Sequence, residues 1–315
     1  MTVEPRYKTR NIDGEELSEE EKDYLEKSSL EVENFDKRNW KSAESRDEWR
    51  DILQRASRGM MEAEWRSVMD EKTDRKAAII HVANRNREKW LERLSEKDLV
   101  FREIRYTEPY NGGFSHKFFP TDKSDPERIT YSVVARNEDI ADKMKEAELE
   151  MDGEEKHDTV GKLLGFPKCC RKHFYQRFVE DSIRDPMYEI TCNTEGVEKI
   201  EGDPEKLKVE NPEPLINSMW RYFGWRFITH HPCSWKCEKS VAIAENRKRI
   251  MKENGYKEAA EKLEEWLNLP FTWTVKNGLM HIKNKHFIGS ARSSNYWSKK
   301  KVIWKKKHRP GGSIV

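Results

Sequence analysis

Two short stretches rich in cysteine and histidine decide how this chain folds: Gly165-Phe166-Pro167-Lys168-Cys169-Cys170-Arg171-Lys172-His173-Phe174 and His230-His231-Pro232-Cys233-Ser234-Trp235-Lys236-Cys237. Together they hold four of the five cysteines and three of the nine histidines. Thiolates and imidazoles are the ligands that zinc and iron centres use. We therefore expect the two stretches to meet in space around one metal or one reactive thiol site.

The spacing of the cysteines suits a shared site. Cys233 and Cys237 are four residues apart, so if Pro232 lies near a helix start, both thiols project from one helical face. Cys169 and Cys170 stand at the start of another predicted helix, just after a proline. Amides at a helix N-terminus favour the thiolate form. The predicted metal ligands are Cys169, Cys170, Cys233, Cys237, His173, His230 and His231.

The pattern leaves the chemistry of the site open. It has no C-x2-C pair, and about sixty residues separate its halves, so it is neither a zinc ribbon nor a ferredoxin run. Zinc, iron or an iron–sulfur cluster would suit three or four thiolates, in a closed structural site or in an open catalytic one. Buried structural cysteines are the alternative without a site. Candidate catalytic residues are Cys170, Cys233 and Asp158, the last because it is close in sequence. Ser234 and Ser240 are both candidates to hydrogen-bond a thiolate or another ligand.

Composition indicates a folded core built on few but large side chains. Of the 315 residues, 35% are apolar and 37% are charged, yet 10% are aromatic and eleven are Trp. Disordered chains are poor in aromatic residues. The net charge of +2 by itself favours no particular partner. No apolar run reaches the roughly 18 residues of a membrane span, and the first residues carry no apolar signal core, so we expect a cytoplasmic protein without a membrane partner.

The chain divides into four predicted regions, and the predicted fold class is α+β. A helical N-terminal part precedes a mixed domain of helices and a small antiparallel sheet, built around the Cys/His site. Apolar spacings of three and four residues predict two helices over about 47–97, and residues 185–214 read as an irregular loop in which Cys192 is incidental. Asn137 predicts a helix cap, Asn277-Gly278 predicts a hairpin turn, and residues 301–304 predict a strand. The regions are a flexible charged lead (1–40), a helical region (41–98), the Cys/His-site α+β domain (99–290) and a basic aromatic C-terminal segment (291–315).

The C-terminal segment interleaves cations with aromatic side chains. That combination suits phosphate contact together with base stacking, so the segment predicts a nucleic-acid or nucleobase partner. A solubilising basic tail is the alternative. The predicted nucleic-acid-binding residues are Arg292, Trp297, Lys299, Lys300, Lys301, Trp304, Lys305, Lys306 and Lys307.

Two motifs carry a resemblance to a known family. Gly165-Phe166-Pro167-x-Cys169-Cys170-x3-Phe174, followed by His231-Pro232-Cys233-Ser234-x2-Cys237-x2-Ser240, resembles an uncharacterised, largely archaeal family that pairs G-[YF]-P-x-C-C-x3-F with H-x-P-C-S-x2-C-x2-S. The resemblance covers roughly residues 130–290. Because that family has no established activity, the resemblance implies a shared site without naming a reaction.

The sequence thus favours a zinc or iron protein that modifies a nucleic acid or a nucleobase, as a transferase for example. This hypothesis depends on the Cys/His site and the basic aromatic segment occurring together, with a metal-activated thiolate or water as the reactive group. One alternative is a nucleic-acid-binding module with a structural zinc. Another is a metal-free thiol enzyme that uses Cys170 or Cys233 with a histidine base.

Overall fold

The structure is a computed structural model that describes residues 37–107, 121–181, 186–202, 204–276, 279–292 and 299–307. Three predicted features fall wholly or mostly outside these residues: the charged lead except for its last residues, the Asn277-Gly278 turn, and Trp297. Within them, helices and strands are mixed, which confirms the predicted α+β class.

The described part of the chain contains eight α-helices and ten strands. The helices are α1 (Ala43–Arg66), α2 (Arg87–Ser95), α3 (Glu138–Leu149), α4 (Gly153–Leu163), α5 (Lys168–Phe174), α6 (Met187–Cys192), α7 (Glu238–Met251) and α8 (Lys257–Leu267). The strands are β1 (Lys37–Trp40), β2 (Ala77–Ala83), β3 (Val100–Thr107), β4 (Ile129–Ala135), β5 (Glu198–Ile200), β6 (Glu205–Val209), β7 (Phe271–Lys276), β8 (Leu279–Lys283), β9 (Phe287–Arg292) and β10 (Lys299–Trp304).

The strands form two sheets. Seven of them lie in the order β1-β9-β8-β7-β10-β6-β5, and the other three in the order β2-β4-β3. All the pairings are antiparallel except that of β10 with β6, which is parallel. The predicted β7–β8 hairpin is confirmed by the pairing of Lys276 with Leu279. The strand predicted near residue 301 is β10, in the middle of the large sheet.

Large aromatic side chains fill the main core, which lies between the seven-stranded sheet and helices α1, α7 and α8. Trp49 from α1, Trp266 from α8 and Trp273 from β7 are each buried. The indole rings of Trp220 and Trp225 lie 5.3 Å and 5.1 Å from that of Trp266. Because each such ring removes a large apolar area from water, a few of them build a core in a chain of low apolar content.

Two predictions about secondary structure are wrong. The second predicted helix begins as strand β2, whose apolar run is buried on both faces by helices and therefore also matches helical spacing. Residues 185–214 are not an irregular loop, since α6, β5 and β6 lie within them and the two strands form one edge of the large sheet. The charged residues of β6 alternate with buried Leu207 and Val209 because one face of this sheet is turned to solvent.

Candidate metal centre

The first cysteine stretch begins at the turn between α4 and α5. Gly165 ends α4 with φ +70°, and a Cβ there would lie 3.0 Å from the Cα of Arg75, so the turn needs a glycine. Pro167 is the N-cap of α5, as predicted. This places Cys169 and Cys170 in the first turn of α5.

The second stretch does not form the helix that was predicted from Pro232. Helix α7 begins only at Glu238, with Cys237 as its N-cap. The backbone N–H of Cys237 donates to the carbonyl of Ser234 at 3.3 Å, so a turn over residues 234–237 separates Cys233 from the helix. The two thiols are therefore brought together by a turn and a helix cap and not by one helical face.

The two stretches meet, as the sequence predicted. The Sγ atoms of Cys169, Cys170, Cys233 and Cys237 all lie within 4.8 Å of one another. The Cys169–Cys170 and Cys169–Cys237 sulfur distances are 3.9 Å each, and the Cys170–Cys237 distance is 3.7 Å. Cys170 and Cys237 are buried, Cys233 is half-buried and Cys169 is exposed.

These distances fit a single tetrahedral metal ion. A zinc–sulfur bond is about 2.3 Å long, so a regular tetrahedron around zinc places its sulfurs about 3.8 Å apart. The three sulfur distances of 3.7–3.9 Å lie close to that value. Cys169, Cys170 and Cys237 therefore have the spacing of three ligands of one ion, and the sulfur of Cys233 lies within 4.8 Å of each of them, so the four cysteines could hold one metal ion.

The sulfur of Cys170 contacts two polar groups besides the other thiols. The backbone N–H of Cys233 donates to its sulfur at 3.4 Å, and the hydroxyl oxygen of Ser240 lies 3.3 Å from it. Both groups lie in or beside the second stretch, so hydrogen bonds connect the two halves of the site even without a metal. Such donors stabilise a metal-bound thiolate and fix its orientation.

The thiols also compete for protons, because they share hydrogen bonds in a confined space. Hydrogen bonds from Cys170 and Cys233 lower the pKa of Cys237, whereas hydrogen bonding with Cys233 and Cys237, together with burial, raises the pKa of Cys170. At Cys233, bonding with Cys170 lowers the pKa, but Cys237 and burial outweigh it and the pKa is about 12. A metal that binds all four thiolates must therefore displace protons.

None of the three predicted histidine ligands belongs to the group of ligand atoms that meets there, among the residues the structure describes. The Nε2 atom of His230 lies 2.9 Å from the Ser240 hydroxyl, and burial, together with the charge of Arg247, lowers the pKa of His230 to about 3. His231 contacts Arg221, with 2.5 Å between Nε2 and Nη1. Burial lowers the pKa of His173. Because four thiolates can complete a tetrahedron, a metal ion at this site would need no imidazole.

Asp158 and Cys192 are also accounted for outside the cluster. Nε of Arg171 donates to the Asp158 carboxylate at 2.8 Å, and Nη1 of Arg171 donates to the carbonyl of Phe166. Asp158 thus helps to hold α4 against α5 and is not among the residues whose ligand atoms meet at the site. Cys192 is exposed at the end of α6 and lies outside the group, as expected for an incidental cysteine.

A buried ion-pair network beside the site was missed at the sequence level. Arg247 of α7 is buried, and its Nη2 lies 2.8 Å from Oε2 of Glu64 on α1. Arg75, just ahead of β2, also pairs with Glu64, and Arg247 donates to the hydroxyl of Thr229 at 3.2 Å. These residues are far apart in a sequence full of charges, so no local pattern indicates their partnership.

The basic C-terminal residues occupy different surroundings from one another. Trp304 is only 1% exposed, so its predicted role in base stacking is wrong: β10 is a central strand, and this ring packs into the core. The side chain of Lys300 lies on the same inner side, 4.5 Å from the ring of Tyr188. Three of the predicted lysines form ion pairs: Lys300 with Glu205, Lys305 with Glu210 and Lys307 with Glu213.

Comparisons with family models, with curated proteins and with solved structures find no match to this chain. The described helices include none that has both the length and the apolar character to cross a membrane. The arrangement of four cysteines is therefore the feature on which a functional proposal rests.

Proposed function

We propose that this chain is a zinc protein in which Cys169, Cys170, Cys233 and Cys237 hold one ion as a structural centre. The convergence of the four sulfurs within 4.8 Å of one another carries this proposal. The bound ion would fasten the start of α5 to the start of α7, and thereby join the turn beside Arg75 to the main core. The resemblance of the two motifs to one family supports their acting as a pair.

The ligand set favours zinc in a closed site. Four thiolates are typical of structural zinc, whereas catalytic zinc keeps three protein ligands and an open position. A single iron would accept the same tetrahedron. An iron–sulfur cluster puts its own atoms between the cysteines and would hold them further apart than 3.7–3.9 Å.

The two enzyme hypotheses have less support from the site. A thiol enzyme needs a base within hydrogen-bond reach of its nucleophile. The described hydrogen-bond partner of His230 is the hydroxyl of Ser240 and not a thiol. That hydroxyl in turn contacts the sulfur of Cys170, so Ser240 lies between the buried imidazole and this thiol. An activity on nucleic acids or nucleobases stays a prediction from sequence.

Elemental analysis of the purified protein, together with its absorption spectrum, tests the proposal. We expect about one zinc per chain and no visible colour, and we expect Cys237→Ser to lose the zinc and to melt at a lower temperature, because zinc binding contributes folding free energy. Cys192→Ser, which removes an exposed cysteine outside the group, is the matched control and should keep its zinc. A metal-free wild-type protein, or a coloured iron protein, would contradict the proposal.

A further inference from the structure

The outer face of the seven-stranded sheet is strongly cationic. Side chains alternate between the two faces of a strand, and residues directly opposite in the register share a face. The inner positions, such as Trp273, Ile282 and Val302, are buried beneath the helices. The alternate positions form the outer face, and their lysines are Lys206, Lys208, Lys276, Lys283, Lys299 and Lys301.

Acidic residues are scarce at the outward positions of the described strands. Glu198 occupies such a position and pairs with Lys208 at 2.8 Å, and Glu210, which follows β6, pairs with the same lysine at 3.2 Å. The chain as a whole carries a net charge of only +2, so an excess of cations on this face is balanced by acidic residues elsewhere in the chain. The positive charge of Lys283 also acts on its neighbour Lys41, whose pKa is lowered by burial and by that charge.

The register sets like charges directly against each other. Lys301 of β10 is opposite Lys206 of β6, and Lys299 is opposite Lys276 of β7. Like charges directly opposite on a sheet face are destabilising. A bound polyanion would remove that repulsion, so the arrangement favours an anionic partner over an empty surface.

We infer that this lysine face, together with its interleaved polar residues, binds the phosphate backbone of a nucleic acid. Neighbouring strands are about 4.8 Å apart, and alternate residues along one strand are about 6.7 Å apart. The lysines are therefore regularly spaced cations on one face of the sheet. Thr272, Thr274, His281 and Ser290 occupy outward positions between them and can hydrogen-bond phosphate and sugar oxygens.

The composition of the face distinguishes a nucleic acid from an anionic membrane. Membrane-surface segments combine cations with large apolar side chains that enter the lipid. The outward apolar residues, such as Leu279, Ile288 and Ile303, are aliphatic and half-buried, and no Phe, Trp or Tyr occupies an outward position in the described parts of β5 to β10. The same feature leaves no ring platform for stacking bases, so the binding would follow the backbone without preference for sequence.

Fluorescence anisotropy with two labelled probes, a 24-base-pair DNA duplex and a 24-nucleotide single-stranded RNA, tests this surface. The wild-type protein should bind at least one probe, with an affinity that falls steeply as salt rises. Lys206→Glu with Lys301→Glu should weaken binding at least tenfold and reduce the slope of log K against log salt by about two on the duplex. The matched control is Lys89→Glu with Lys143→Glu, which makes the same charge change at exposed positions on α2 and α3.

The outcomes separate the possibilities. Equal losses in the lysine-face and control variants would show only general charge attraction and would overturn the inference. So would binding to phosphatidylserine vesicles without binding to either probe, or a wild-type affinity that is insensitive to salt. Zinc content and melting temperature confirm that each variant is folded, and Lys206→Gln with Lys301→Gln provides a milder change if the charge reversal prevents folding. Because zinc content is measured separately, failure here leaves the structural zinc proposal intact.

Discussion

At the scale of single residues, Ser240 links the four-cysteine group to a buried histidine. Its hydroxyl oxygen is 3.3 Å from the sulfur of Cys170 and 2.9 Å from Nε2 of His230. If the hydroxyl donates to the thiolate, its oxygen is free to accept from an Nε2–H of the neutral imidazole. The second nitrogen of His230, Nδ1, has no hydrogen-bond partner among the described residues, so Ser240 is the described partner of this ring.

Ser240→Ala should therefore weaken zinc binding about 10- to 100-fold, as loss of a ligand's outer hydrogen bond typically does. The protein should still take up one zinc when the metal is in excess, because all four cysteines remain. Competition against a chromophoric chelator measures the affinity. Ser234→Ala is the matched control. That hydroxyl accepts a hydrogen bond from the backbone N–H of Lys236, and its described hydrogen bonds include none with a cysteine sulfur. Equal affinities for the two variants would contradict this role of Ser240.

The cysteines could be predicted from sequence, but the fate of the histidines could not. Cys169, Cys170, Cys233 and Cys237 stood out because thiols cluster rarely without a reason. A histidine two or three residues from a cysteine has no such signature, since its ring can equally bond a hydroxyl or stack on another ring. His230 bonds Ser240, and His231 stacks on Phe174 with a centroid distance of 5.8 Å. Those contacts depend on the fold and not on local spacing.

At the scale of elements, the turn between α4 and α5 determines where the first two thiols lie. Gly165→Ala should lower the free energy of unfolding by more than the roughly 1–2 kcal/mol that a left-handed residue costs, because its Cβ would also approach the backbone of Arg75 at 3.0–3.1 Å. Gly153→Ala is the matched control: that residue has φ +56° but no atom within 4 Å of a Cβ. Urea unfolding measures both, and equal losses would show that packing against Arg75 is unimportant.

Elements with local signals were predicted, and those determined by tertiary pairing were not. Asn137 caps α3 by accepting from the amide of Ile140, as its position in the sequence indicated. Strand β2 was predicted as a helix because its pairing with β4, more than forty residues away, leaves no local trace. Strand β6 was missed because its partner β10 lies in the C-terminal segment, about ninety residues further on. Burial on both faces, as in β2, obscures the alternation that identifies a strand.

At the scale of the whole molecule, the buried Glu64 network connects three regions: helix α1, the segment before β2 and helix α7. Burial opposes the ionisation of Glu64, but the charges of Arg247, Arg75 and Arg226 outweigh it and lower its pKa. Its stabilising effect is therefore complete above the unfolded-state pKa of about 4.3 and disappears as the pH falls through the lower folded-state value. The network should thus contribute to stability at neutral pH and fail in acid.

Glu64→Gln should lower the free energy of unfolding at pH 7 by about 3–5 kcal/mol, because it leaves buried Arg247 without its counter-charge. The difference between wild type and variant should shrink as the pH falls below about 4.3. Urea unfolding from pH 3 to pH 7 measures that difference, and acid loss of a metal would affect both proteins alike. Glu258→Gln, which breaks the exposed pair with Arg55, should cost less than about 1 kcal/mol at any pH. A constant difference across the pH range would mean that Glu64 acts through packing and not through its charge.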